Sequence, residues 1–140
     1  MAIKQLTVFV QNKKGTVVAV TDALSKNNIN IRALSIAETQ DFGILRIICD
    51  DPKQTDSVLK DGGYLTTVTD VLAAEIADTP GSMATILEVL ADAQVIVEYT
   101  YAFLAPDGHA DMIFRVDDNA VASAALAGAG IKTANQEDIF

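Results

Sequence analysis

The 140-residue chain is one unit written twice. Gly15 returns as Gly81 at a spacing of 66 residues, and with it Val17 as Met83, Val20 as Ile86, Leu24 as Leu90, Ile29 as Val95 and Ile31 as Val97. Beyond the turn near Asp41 and Gly108 the spacing is 67, so that Ile47 matches Phe114, Cys49 matches Val116, Leu59 matches Leu126 and Gly63 matches Gly130. Apolar positions that recur in register mark a repeated structural unit of roughly 70 residues. One such unit alone can bury only a small core, which predicts two copies, 1–71 and 72–140, leaning on each other. A pseudo-symmetric pair has a seam, and a seam between like elements is a place where a ligand can bind.

Inside each copy the apolar period changes in a set order. Ile3 to Val10 is β-branched and apolar, as a strand requires, and Val17, Val20, Ala23 and Leu24 have helical spacing. Ile29, Ile31, Leu34 and Ile36 follow a period of two with a slip near Ala33, which predicts a β-bulge. Gln40-Asp41-Phe42-Gly43 reads as a hairpin turn into a strand at Ile44 to Cys49. Asp50-Asp51-Pro52 opens a helix through Val58 and Leu59, Gly62-Gly63 closes it, and Tyr64 to Val71 forms the last strand.

The second copy repeats the order. It has a strand at Leu72 to Ala77, a helix from Pro80 or Gly81 to Ala93, a strand at Val95 to Leu104, a turn at Pro106-Asp107-Gly108 and a strand at Ala110 to Val116. An alanine-rich helix from Asn119 to Ala127 and a short strand near Ile131 to Ala134 complete it. Twice βαββαβ predicts an α+β fold of two ferredoxin-like repeats side by side, forming one antiparallel sheet of about eight strands with the helices on one face. If the strand after Val97 slips as its counterpart does, Tyr99, Tyr101 and Phe103 point away from the helices, and an open aromatic stripe there favours a homodimer or higher homo-oligomer. Without the slip these aromatics are core.

Charge and composition narrow the function. The net charge of −9 is carried by the second copy, where two basic residues face eleven acidic ones, whereas the first copy balances eight against eight. An acidic surface with no basic stripe repels phosphate, so nucleic acid is excluded as a partner. The chain has no apolar run long enough to span a membrane, and Met1-Ala2-Ile3-Lys4-Gln5 lacks the regions of a signal peptide; a soluble, cytoplasmic protein without membrane contact is expected. The single Cys49 lies in the apolar run Ile44 to Cys49 and reads as a small hydrophobe, with a reactive thiol as the alternative.

Two stretches carry a family resemblance: Asn12-Lys13-Lys14-Gly15-Thr16-Val17 through Asn28-Ile29-Asn30-Ile31, and Asp78-Thr79-Pro80-Gly81-Ser82-Met83 through Val95-Ile96-Val97. Each resembles the ACT domain's polar residue, Pro-Gly turn, amphipathic helix and following strand. The second copy matches the turn closely, and the first has Lys14 where the family usually has proline. The resemblance implies a stand-alone tandem ACT protein: a non-catalytic sensor of a free amino acid, acting in the regulation of amino-acid metabolism. The alternative it leaves open is a regulatory subunit that docks on a separate metabolic enzyme, its ligand site vestigial.

Physical chemistry gives the same loops a role. A helix start presents unpaired N–H groups and partial positive charge, and glycine there lets a carboxylate approach the main chain. Gly15 and Gly81 suit that role, and Asn12 or Asp78 beside them can accept from a ligand ammonium. An amino acid bridging the seam can place its carboxylate on the Gly15 start, near Lys13 and Lys14, and its ammonium near Asp78. The reverse polarity uses the Gly81 amides and Asn12. The expected ligand-binding residues are therefore Asn12, Lys13, Lys14, Gly15, Thr16, Asn30, Ile31, Asp78, Pro80, Gly81, Ser82, Met83, Ile96 and Val97, the strand starts supplying backbone groups and wall. The competing reading makes Asn12 and Asp78 simple helix caps and the glycines simple turn residues.

Other chemistry is not indicated. His109 has no second histidine or cysteine near it in sequence, and Gly62-Gly63 and Gly128-Ala129-Gly130 end helices rather than begin them. Asp50-Asp51 and Asp117-Asp118 occupy matching positions and read as negative charges at the starts of the second helices. No catalytic residue, metal site or cofactor is expected.

Overall fold

The computed structural model of the chain describes residues 2–39, 41–104 and 110–139. Gln40, the turn expected at Pro106-Asp107-Gly108 and His109 lie outside them. The chain divides into two compact units, Lys4–Thr69 and Asp70–Phe140 joined by Met1–Ile3.

The first unit contains β1 (Ile3–Gln11), α1 (Thr16–Lys26), β2 (Ile31–Glu38), β3 (Phe42–Cys49), α2 (Pro52–Asp61) and the start of β4 (Leu65–Ile76). Its strands run in the order β2-β3-β1-β4. Leu6 lies opposite Ile47 and Val8 opposite Leu45, so one side of the pleat is continuous across β1 and β3. That side buries Leu6, Val8, Val10, Leu45, Ile47 and Cys49 against Val20 and Leu24 of α1 and Leu59 of α2. Both helices therefore cover the same face, as the crossover handedness predicts.

The second unit repeats this with the end of β4, α3 (Ser82–Asp92), β5 (Val97–Leu104), β6 (Ala110–Val116), α4 (Asn119–Gly128) and β7 (Thr133–Ala134), in the order β5-β6-β4-β7. Leu72, Ala74, Phe114 and Val116 bury against Ile86 and Leu90 of α3 and Ala122 and Leu126 of α4. A short 3-10 turn follows at Gln136–Ile139.

The described strands number seven rather than about eight. The strand expected to close the first copy and the one expected to open the second are a single strand, β4, because nothing between Leu65 and Ile76 interrupts an extended chain. Ladder bonds can continue through a segment that lacks glycine, proline or a turn pair.

The slip predicted near Ala33 is present, and of the two alternatives left open after Val97 the slipped one holds. The β2–β3 register shifts between Ile31 and Ala33, and the β5–β6 register between Val97 and Tyr99. Tyr99, Tyr101 and Phe103 then lie opposite Arg115, Ile113 and Asp111, on the side away from the helices, and the two tyrosine rings stack at 6.4 Å. The face is only partly open, however: Ile113 and Ala73 are fully buried and Phe103 is 3% exposed, while Tyr99 and Tyr101 are half-buried, so the stripe is narrower than the one on which self-association was expected. Burial of this face is a tertiary fact that strand alternation cannot reveal.

All four helices end alike. Ile29, Tyr64, Val95 and Ile131 donate to the carbonyls of Leu24, Leu59, Leu90 and Leu126, each across a residue of positive φ. In α1 and α3 that residue is Asn28 (φ 58°) and Gln94 (φ 61°), side chains that tolerate the left-handed region less well than glycine does.

Candidate functional site

The first loop joins β1 to α1. Lys13 N–H donates to the Gln11 carbonyl, Thr16 closes on the Lys13 carbonyl with both its N–H and its hydroxyl, and Gly15 stands at the helix boundary with φ 83° and ψ −3°. An L-residue is strained there, which is the local reason for glycine. No side chain caps the helix, and beyond the Thr16 N–H already on the Lys13 carbonyl, the first-turn amides of Val17 and Val18 are left for solvent or a ligand. The direction a Cβ on Gly15 would take is empty.

Around this start the polar groups divide. Lys13 and Lys14 are exposed and in no ion pair among the described residues. The Asn12 amide donates to the Glu38 carboxylate at 2.9 Å, so Asn12 is tied to the end of β2 and does not cap α1. Glu38 is a polar member of this neighbourhood that sequence reasoning did not identify. Only the β2–β3 register and the strand's length bring it beside a residue 26 positions earlier.

The second loop, between β4 and α3, has the same geometry. Gly81 has φ 89° and ψ −8°, carries no side-chain cap, and likewise has empty space where a Cβ would be. Ser82 N–H donates to the Thr79 carbonyl, and the Thr79 and Ser82 hydroxyls share a 2.7 Å hydrogen bond. Asp78 is exposed, with no hydrogen bond or ion pair among the described residues, so the capping reading fails for it. Pro80 occupies the turn, and Met83, partly buried, packs on the second core, as does Val97. Val17 and Ile31 hold the matching places on the first core.

The strand starts differ from expectation in one respect. Asn30 N–H donates to the Asp50 carboxylate at 3.1 Å and its carbonyl accepts from Asp50 N–H at 3.3 Å. Ile96 makes the same two bonds with Asp117, at 2.9 and 3.2 Å. The main-chain groups of Asn30 and Ile96 are therefore already committed, and the next residues, Ile31 and Val97, turn partly buried apolar side chains onto the two cores. The paired aspartates also separate in role. Asp51 and Asp118 cap α2 and α4 by accepting from Gln54 and Val121 N–H, whereas Asp50 and Asp117 hold the strand starts.

Elsewhere the chemistry is quiet. Cys49 is buried, its sulfur 3.0 Å from the Thr55 hydroxyl, and burial pushes its thiol above the ordinary value. Among the described residues no group of side chains could hold a metal ion, and no helix is long and apolar enough to cross a membrane. A groove of about 460 Å³ runs along α4 past Leu72, Asn119, Ala120, Ser123 and Ala127. Its lining has no charge with which to hold a zwitterion, and it includes none of the loop residues.

Comparison with known proteins agrees with the geometry. A family model described as an ACT domain pair matches residues 1–139. No match was found among curated proteins. Among solved structures, protein BT0572 from Bacteroides thetaiotaomicron is 36% identical with a TM-score of 0.92, the alignment covering 99% of this chain and 96% of that one. The regulatory subunits of aspartate kinase from Thermus thermophilus and Thermus flavus share the fold at 14% and 13% identity, with TM-scores of 0.67 and 0.64; each alignment covers 91% of this chain, and 90% and 92% of those. Two ferredoxin-like units with matching glycine-started helices, and a family model that spans them both, place this chain in the ACT domain family as an ACT domain pair.

Proposed function

We propose that the protein senses a free α-amino acid at the glycine-started helices and serves in the regulation of amino-acid metabolism. The observation that carries this reading is the second loop. Beside the uncapped Gly81 helix start lies Asp78, an exposed carboxylate with no partner among the described residues. Amides and partial positive charge accept a carboxylate, and a carboxylate nearby accepts an ammonium, which is the charge pattern of an amino-acid zwitterion. The first loop offers the same helix start, with Lys13 and Lys14 adding positive charge and Asn12 and Glu38 supplying acceptors. Two proteins of like fold are regulatory subunits of aspartate kinase, which makes action on a separate metabolic enzyme a natural way for binding to be passed on.

A thermal-shift screen of the twenty protein amino acids tests the reading. A ligand at 100 times its dissociation constant that binds only the folded state adds about 2.7 kcal/mol. Asp78→Ala should then weaken binding by about 1.5–3 kcal/mol, the scale of a hydrogen bond to a charged group. The proposal fails if none of the twenty raises the melting temperature, or if folded Asp78→Ala and Gly81→Val variants bind as the unaltered protein does.

A further inference from the structure

We infer that Asp50 and Asp117 are positioning residues for the two ligand loops, each fixing the strand start that walls its own site. The inference rests on the amino-acid-sensing reading above and adds to it residues that never touch the ligand.

Four observations converge on it. First, the same two-bond ring occurs in both copies, Asp50 with Asn30 and Asp117 with Ile96, although the residues held have nothing in common but position. A side chain that binds main chain, at matching points of a duplicated fold, serves the path of the backbone rather than the identity of its partner. Second, the ladder needs help at this point. Past Ile31 and past Val97 the pairing slips at the bulge, so each strand start is cut off from the regular register that follows. The aspartate carboxylate supplies the acceptor for the N–H that precedes it. Third, the residue next along shares a core with the start of the ligand helix: Ile31 and Val17 both pack on the first core, Val97 and Met83 both on the second. Val17 and Met83 lie in the first turns of the very helices whose amides face the ligand. Fourth, Asp51 and Asp118 already cap α2 and α4, so the preceding aspartates are not needed for that purpose.

The physical consequence separates positioning from bulk stability. Asn30 and Ile96 are exposed, so water can replace the lost acceptor and global stability changes little. The main-chain half of the ring survives any substitution. What is lost is the second tether, and with it the fixed placement of Ile31 or Val97 on which a preorganised pocket depends.

The test uses the full chain and, as probe, the amino acid that gives the largest shift in the screen of twenty. Asp50→Ala and Asp117→Ala should each lower affinity about tenfold, the loss equivalent to one hydrogen bond. Asp50→Asn and Asp117→Asn keep a carbonyl acceptor and should restore affinity to within about threefold. In the absence of ligand, amide exchange at Ile31 and Val97 should quicken in the alanine variants while Leu45 and Phe114 are unaffected. Alanine variants that bind normally overturn the inference, as do asparagine variants as weak as the alanine ones or unchanged exchange at Ile31 and Val97. If the unaltered protein responds to none of the twenty, the sensing reading falls and takes this inference with it. Loss of binding in Asp78→Ala but not in Asp50→Ala or Asp117→Ala sinks this inference alone.

Discussion

Replacing Thr66 by valine isolates one buried hydrogen bond to a carboxylate. The Thr66 hydroxyl, on β4, donates to Asp56 of α2 at 2.6 Å, and Lys60 donates to the other oxygen at 2.9 Å. Those two bonds, Thr66's first, hold the Asp56 carboxyl below its ordinary value. Lys60 is 58% exposed, so its ion pair contributes little, whereas Thr66 is only 6% exposed and its hydroxyl is already desolvated. A hydrogen bond to a charged group contributes about 1.5–3 kcal/mol, and the Asp56 side chain, itself 22% exposed, loses part of that to water. Thr66→Val, nearly isosteric and equally suited to a strand, should therefore cost about 1–2 kcal/mol at pH 7 by urea unfolding. The copies supply a control. Thr133 matches Thr66, but Ser123 stands where Asp56 does, and the Thr133 hydroxyl makes no hydrogen bond among the described residues; Thr133→Val should cost under about 0.5 kcal/mol. Because the folded pKa of Asp56 is depressed, its stabilisation is complete above the unfolded value near 3.9 and is lost as pH falls through the folded one. The gap between Thr66→Val and the unaltered protein should thus be full at pH 7 and close below about pH 4. Equal costs at Thr66 and Thr133, or a gap that persists unchanged in acid, would refute the argument.

Two further outcomes are expected. Gln94→Gly should raise stability by about 0.5–1 kcal/mol in the same urea assay, since glycine relieves a left-handed residue at the end of α3, and Asn28→Gly should gain less because asparagine tolerates that conformation. Cys49, buried with its thiol held in the protonated form, should resist a disulfide reagent at pH 8 in the native protein and react once urea unfolds it; rapid native reaction would show that α2 opens readily.

Much of the fold was legible because it was written twice. Period and punctuation located all four helices; the bulge in β2 followed from a phase slip near Ala33, whereas the one in β5 could be inferred only by analogy with it. The merged strand β4 escaped because copy boundaries were drawn from the repeat, while the hydrogen-bond ladder follows only the absence of turn residues between Leu65 and Ile76. At the loops, the glycines were identifiable from residue type alone, since their φ values of 83° and 89° exclude ordinary side chains. The division of labour between Asp50 and Asp51 was not, because adjacent identical side chains part company only through backbone angles. Glu38 was hidden for another reason: its pairing with Asn12 depends on where two strands end in space.

The continuous strand also bears on how the duplicated gene could change length. Twelve residues of β4 serve the last strand of one copy and the first of the next, and side chains alternate faces along all of them. A single residue inserted near its middle would turn every later side chain to the opposite face, sending Leu72 and Ala74 out of the second core and Ala73 into it. Within the strand only a β-bulge could absorb that change, because there is no loop in which to hide it. A connection between strands tolerates such a change, and the spacing between the copies passes from 66 to 67 between the end of β2 and the start of β3. The one difference in length that the two halves have accumulated lies where a residue can be gained without reversing a strand.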